Sequence, residues 1–187
     1  VLLLILGAIG LGATGQVHAA ASAPASDATA APSAAAGREL DRAQAQLRES
    51  IAALAAGAPI EILRDPDRLV LRIPARLLFD AESTIPRGDA PARALLRVVR
   101  QLLRKHVRLA ARIDVYTDGI GGAKDNLQFA QRRADALRVW FTEEGMPAAR
   151  LRSAARGAEA PITSDDAPEG RMQNRRVELV FEREPAA

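Results

Sequence analysis

ARIDVYTDGIGGAKDNLQFAQRRADALRVWFTEEG, residues 111–145, changes its hydrophobic period midway, and that change decides the fold. Ile113 to Tyr116 alternates apolar and polar side chains, as a half-buried strand does. Gly119, Gly121 and Gly122 then mark a turn-forming loop. Asp125 can cap a helix that reaches about Glu144, with Ala130, Ala134, Leu137 and Phe141 on one face and Gly145 as its stop. A strand that passes through a glycine loop into an amphipathic helix is half of an α/β unit.

The flanking segments extend this unit in both directions. Ile60 to Leu63, the turn Asp65 to Asp67 and Leu69 to Ile73 form the pattern of a β-hairpin. Leu77-Leu78-Phe79-Asp80 leads into a polar loop. A helix is expected from about Pro91 to Lys105, with Leu95, Leu96, Val99, Leu102 and Leu103 on its apolar side. Downstream, Leu151 to Ala155 is a weak short strand. Val177 to Phe181 is a better one, after a loop of acids, proline and glycine. The order β-α-β-α-β, closed by a last strand after a loop, implies an α/β (α+β) fold built as a two-layer sandwich.

The chain has 187 residues, room for one ordinary domain and some appendages. Val1 to Ala13 is apolar and uncharged but shorter than the about 20 residues that span a bilayer. Val17-His18-Ala19 fits a signal-peptidase site, so residues 1–19 are expected to be a signal peptide or, failing that, a membrane anchor. Residues 20–37, rich in alanine, serine and proline, form a linker. Residues 38–56 form a helical spacer, with a stripe of Leu40, Leu47, Ile51 and Leu54 and a stop at Gly57 and Pro59. Residues 60–183 are the folded domain.

Composition narrows the chemistry. With no cysteine, the chain has no disulfide, thiolate metal site, cysteine nucleophile or lipid-accepting cysteine. His18 and His106 are too few and too far apart for a metal cage, and no metal or cofactor is expected. The net charge of +3 and pI near 10.1 permit an acidic partner. Arg93, Arg97, Arg100, Arg104 and Arg108 recur at helical spacing and form one basic face, read as a solvated face opposite the core, with electrostatic contact to an anionic polymer or lipid as the alternative. Aromatics are only 3% of the chain, which argues against a nucleic-acid reader that stacks bases.

The run Tyr116-Thr117-Asp118-Gly119-Ile120-Gly121, then Asn126, then Gln131-Arg132-Arg133-Ala134, resembles the signature of the OmpA-like domain, the peptidoglycan-associated module of bacterial envelopes. Glu169 to Leu179 resembles the closing motif of that family, and Leu77 to Asp80 the opening one. The resemblance covers about residues 60–182. It implies a non-enzymatic binder of peptidoglycan that grips the diaminopimelate of the stem peptide. Asp118 and Arg133 stand at the positions that would hold its ammonium and its carboxylate. An arginine can grip a carboxylate with two parallel hydrogen bonds. Asn174 and Arg176 match the closing motif and would support the site. Asn126 would cap the helix or touch ligand, and Asp80 and Glu82 could accept hydrogen bonds from the stem. The chain departs from the family pattern at Val115, Phe129 and Ala130, and in shortened loops after Asp80 and at Gly157 to Pro161.

The resemblance also implies export to the bacterial periplasm or cell envelope, with membrane contact through residues 1–13 if that segment is retained. An alternative is a membrane-anchored structural protein whose OmpA-like domain binds chiefly a protein partner. A wall hydrolase using Asp80 and Glu82 as an acid/base pair is disfavoured, because both lie on one short loop with nothing evident to separate their roles.

Overall fold

The computed structural model describes residues 30–55 and 57–183. The expected export or anchor segment, most of the expected linker and Ala56 lie outside them. The hairpin forms as the sequence suggests. Strands β1 (Glu61–Asp65) and β2 (Arg68–Pro74) pair antiparallel to the last pair, Asp65 with Arg68, which leaves Pro66 and Asp67 as the turn. Across that turn Arg68 Nε donates to Asp65 Oδ2 at 2.6 Å.

Helix α2 (Ala90–Lys105) starts where Asp89 accepts a hydrogen bond from the Ala92 amide at 3.1 Å, with Pro91 in the first turn. Strand β3 (Leu109–Tyr116) begins four residues before the expected Ile113, because Ala110 and Ala111 blur the alternation that would mark it. Helix α3 (Ala123–Glu143) has Gly122 as its N-cap and no side-chain cap. Asp125 therefore sits in the first turn instead of capping, where its charge suits the positive helix end. Gly145, at φ 84°, ends the helix in the left-handed region, where a side chain would be strained.

Strand β4 (Leu151–Gly157) follows α3, and strand β5 (Arg176–Arg183) closes the domain. Between them lies helix α4 (Pro168–Asn174), in a stretch expected to be loop. Its seven residues are too short to show a period. Gly170 is what lets it pack, since a Cβ there would meet the Ser164 carbonyl oxygen at 1.9 Å.

The sheet order is β1-β2-β5-β3-β4, with β5 inserted antiparallel between β2 and β3, and β3 parallel to β4 across the α3 crossover. Leu69, Leu71 and Ile73, Ile113 and Val115, and Val177, Leu179 and Phe181 share one buried cluster with the apolar sides of the helices. Because strand side chains alternate, the helices thus cover one face of the sheet. The other face carries charge: Glu178 accepts from Arg72 and from Arg176, and Asp114 from Arg112 and Arg156.

Helix α1 (Ala30–Leu54) begins inside the segment expected as linker and packs on α2 and the hairpin. Its buried stripe is Leu40, Ala43, Leu47 and Ile51, while Leu54 is 39% exposed. Helical spacing placed Leu54 on the stripe, but at the end of the helix it is Ile51 and Ala55 that face the core.

Candidate binding cleft

The end of β3 is where the site is built. The register of β3 against β4 shifts between Val115 and Tyr116, so that Tyr116 pairs with Gly157 and Arg156 is left over as a bulge. The Thr117 amide donates to the Gly157 carbonyl at 2.7 Å, which turns Asp118 out beyond the sheet. The Asn126 side-chain amide then donates to the carbonyls of Asp118 and Ile120, at 3.3 and 3.0 Å. Asn126 thus shapes the loop from inside α3 instead of capping the helix.

Asp118, Arg133, Glu82 and Asn126 line one cleft of about 410 Å³, together with Thr117, Phe129 and Arg175. Arg133 is 4% exposed. Its Nε donates to the Ser83 carbonyl, and its Nη2 to the carbonyls of Asp80 and Ala81, all at 2.8 Å. The guanidinium carbon lies 4.7 Å from the centre of the Phe79 ring and 4.2 Å from that of Phe129. Phe129, one of the departures from the family pattern, therefore forms one wall of the arginine cradle. No carboxylate among the described residues pairs with Arg133, and its Nη1 makes no hydrogen bond with them. Burial, with a smaller push from Arg175, lowers its pKa to about 10, so the guanidinium stays charged at neutral pH.

Asp118 is 8% exposed. Its Oδ2 accepts from Arg175 Nη1 at 2.9 Å, and its Oδ1 from the Ile120 amide at 3.3 Å. The Thr117 hydroxyl is buried without a partner among the described residues, so the cleft holds an unspent polar atom.

The supporting residues expected from the closing motif do not stand in this cleft. Asn174 is fully buried and holds the 162–165 loop: its Oδ1 accepts from the amides of Ile162 and Thr163, and its Nδ2 donates to the Thr163 carbonyl and to Asp165. Arg176 belongs to the charged face, where it donates to Glu178 and lies 3.6 Å over the Tyr116 ring. Arg175, one residue earlier, is the arginine that reaches Asp118. An adjacent pair of arginines gave no way to choose between them, because the alternation that separates them depends on where β5 begins. Asp80 touches Arg133 through its backbone carbonyl only; its side chain pairs with Arg87 at 2.7 Å. Phe79, Phe129 and Thr117 were not expected in the site, although Phe129 stands four residues before Arg133, within reach on a helix.

A family model described as the OmpA family matches residues 78–175, more than half of the 187-residue chain. Probable lipoprotein YiaD of Escherichia coli strain K12 is 32% identical over 146 residues, a match covering 78% of this chain and 64% of the relative. Peptidoglycan-associated lipoprotein of Agrobacterium fabrum is 32% identical over 106 residues, covering 57% of this chain and 59% of the relative. The chain thus spans less than two thirds of the length of either relative. Among solved structures, the cell wall anchor of the T6SS from Pseudomonas aeruginosa superposes with a TM-score of 0.64 at 25% identity, covering 76% of this chain and 98% of that one. Its match to the family model, and the sheet and helices that carry the matched residues, place the chain in the OmpA family.

Proposed function

We propose that the domain binds peptidoglycan non-covalently through the free end of diaminopimelate in the stem peptide, holding the cell envelope to the wall. The observation that carries this reading is the uncountered Arg133 guanidinium beside Asp118 in one cleft. A diaminopimelate end presents a carboxylate and an ammonium on one carbon. The carboxylate would meet Arg133 Nη1, the side of the guanidinium not used by the loop carbonyls. The ammonium would meet Asp118, sharing its carboxylate with Arg175. Asn126 and Glu82 border the same space and offer oxygens to ligand N–H groups.

Charge-assisted hydrogen bonds contribute about 1.5–3 kcal/mol each, and ordering of the ligand opposes them. A single stem should therefore bind weakly, in roughly the micromolar to millimolar range. A wall that presents many stems retains the protein by effective concentration. The reading is non-enzymatic: Asp80 and Glu82 are exposed, and the Asp80 carboxylate is taken by Arg87. Residence in the bacterial envelope, with residues 1–19 serving export or anchorage, belongs to the same proposal.

Co-sedimentation of the full chain with purified sacculi tests it, with Asp118→Ala and Arg133→Ala beside it and circular dichroism to establish folding. Loss of binding in both folded variants is expected. Normal co-sedimentation of a folded Arg133→Ala protein would remove the assignment.

A further inference from the structure

The C-terminal end of α2 and the first half of α1 border a second cleft, of about 470 Å³. Arg38 and Arg42 line it from α1, and Lys105 and Arg108 from the end of α2 and the turn after it. All four are exposed, and none of their side chains has an ion pair or hydrogen bond among the described residues. Some other surface arginines are paired: Arg64 with Asp41, Arg68 with Asp65, Arg87 with Asp80 and Asp89, Arg100 with Glu144. Others, such as Arg93, Arg97, Arg132 and Arg152, are exposed without a partner among the described residues, so what sets these four cations apart is that they gather around one cleft. The one carboxylate in the lining, Glu39, has its Oε1 3.9 Å from His106 Nδ1. Gathering four cations around one carboxylate costs self-repulsion, which a polyanion would relieve.

Further observations bear on what the cleft meets. His106 lines it, 6% exposed, and its Nε2 is buried without a partner among the described residues. Burial pushes this imidazole below its ordinary range, so it adds no charge at neutral pH. Val107, between Lys105 and Arg108, is 66% exposed. An apolar residue exposed within a basic rim is the composition of a surface that enters lipid headgroups. The α1 side of the cleft, with Arg38 and Arg42, belongs to the part of the domain nearest along the chain to the uncharged stretch Val1 to Ala13. The cleft also lies at the Leu109 end of β3, whereas Asp118 follows the Tyr116 end, about 23 Å away along the strand.

We propose that this end of the domain docks on a membrane surface rich in phosphate headgroups, with Arg38, Arg42, Lys105 and Arg108 on the phosphates and Val107 in the headgroup layer. The arginine row expected along α2 is not itself this surface. Arg100 is taken by Glu144, and of that row only Arg108 joins the cleft. The docking does not depend on the wall-binding cleft, and the two ends would allow one domain to touch membrane and wall together.

Flotation of the full chain with phosphatidylcholine vesicles, with and without phosphatidylglycerol, isolates the charge-dependent gain from any binding through Val1 to Ala13, which both vesicles share. The quadruple variant Arg38→Ser, Arg42→Ser, Lys105→Ser, Arg108→Ser should lose that gain by about a hundredfold or more. A control of equal net charge, Arg93→Ser, Arg97→Ser, Arg132→Ser, Arg152→Ser, should keep most of it. Every replaced side chain is exposed, so both variants should keep the wild-type circular dichroism spectrum. Val107→Asp alone should reduce the gain severalfold and is a second route to the same readout. Equal losses in the two quadruple variants would overturn the proposal, as would the absence of any gain in the wild type. Abolition of the gain by inorganic phosphate at fixed ionic strength would overturn it too, in favour of a small-anion site.

Discussion

Two arginines are buried at the same end of the sheet, and the surroundings of each separate structure from binding. Arg176, on the open face, is 3% exposed and has the Glu178 carboxylate 2.9 Å from its Nε, the Ala160 carbonyl on its Nη2, and the Tyr116 ring beneath it. Arg133, on the helix side, is 4% exposed, held by three loop carbonyls and two aromatic rings, and has no carboxylate partner among the described residues. Carbonyls and rings orient a guanidinium but leave its full charge unneutralised. A buried cation with its counter-ion in place is complete, and one without it is half of an ion pair. The second kind is where the proposed ligand carboxylate would sit.

Arg176→Ala should accordingly act on stability. It leaves Glu178, 9% exposed, with only Arg72 in place of two partners. The loss should be about 3 kcal/mol, seen as a lower urea midpoint. A folded, undiminished Arg176→Ala protein that no longer sedimented with sacculi would break the comparison.

Arg133→Lys sharpens it from the other side. The ammonium cannot reproduce the planar fork, so sacculus affinity should fall by about tenfold to a hundredfold, with a thermal midpoint close to wild type. A large fall in stability with unchanged binding would make Arg133 a structural residue like Arg176.

A third test uses pH. Burial pushes the Glu178 carboxyl up, but hydrogen bonds and charge from Arg176 and Arg72 outweigh it, and the net position is below the ordinary glutamate value. A carboxyl lowered on folding adds stability that is fully present above its unfolded pKa, about 4.3. That stability is lost as pH falls through the folded value. Unfolding of Glu178→Gln should therefore depend less on pH below about 4 than the wild type.

The smallest effect is expected at Arg175. Its side chain is 48% exposed, so its pair with Asp118 should contribute under about 1 kcal/mol to folding. Arg175→Ala should leave the melting point nearly unchanged and shift sacculus binding by less than about tenfold. A larger loss of binding would make Arg175 a direct ligand contact.

Much of this arrangement is legible along the chain because it is local. The hairpin follows from a proline turn between alternating runs, α2 from its 3.6-residue period, and the positions of Asp118 and Arg133 from motif order. Other features were not legible because each depends on residues far apart. β3 begins in alanines whose place in the sheet is fixed by pairing with β5 and β4. α4 is too short for a period and is held by Asn174 and by the space at Gly170. The choice of Arg175 over Arg176 at Asp118 depends on which face of the sheet each side chain leaves from.

By itself, then, the sequence determined the two-layer α/β order, since period and turn chemistry are properties of neighbours in the chain, and its motifs carried the resemblance that points to the family and to Asp118 and Arg133 as candidates. Only the tertiary structure decided which charges are paired and which remain open. Arg133, Arg176 and Arg108 look alike in a string of letters. The carbonyl cradle of Arg133 comes from a segment 50 or more residues away, as its bonds to Asp80, Ala81 and Ser83 show.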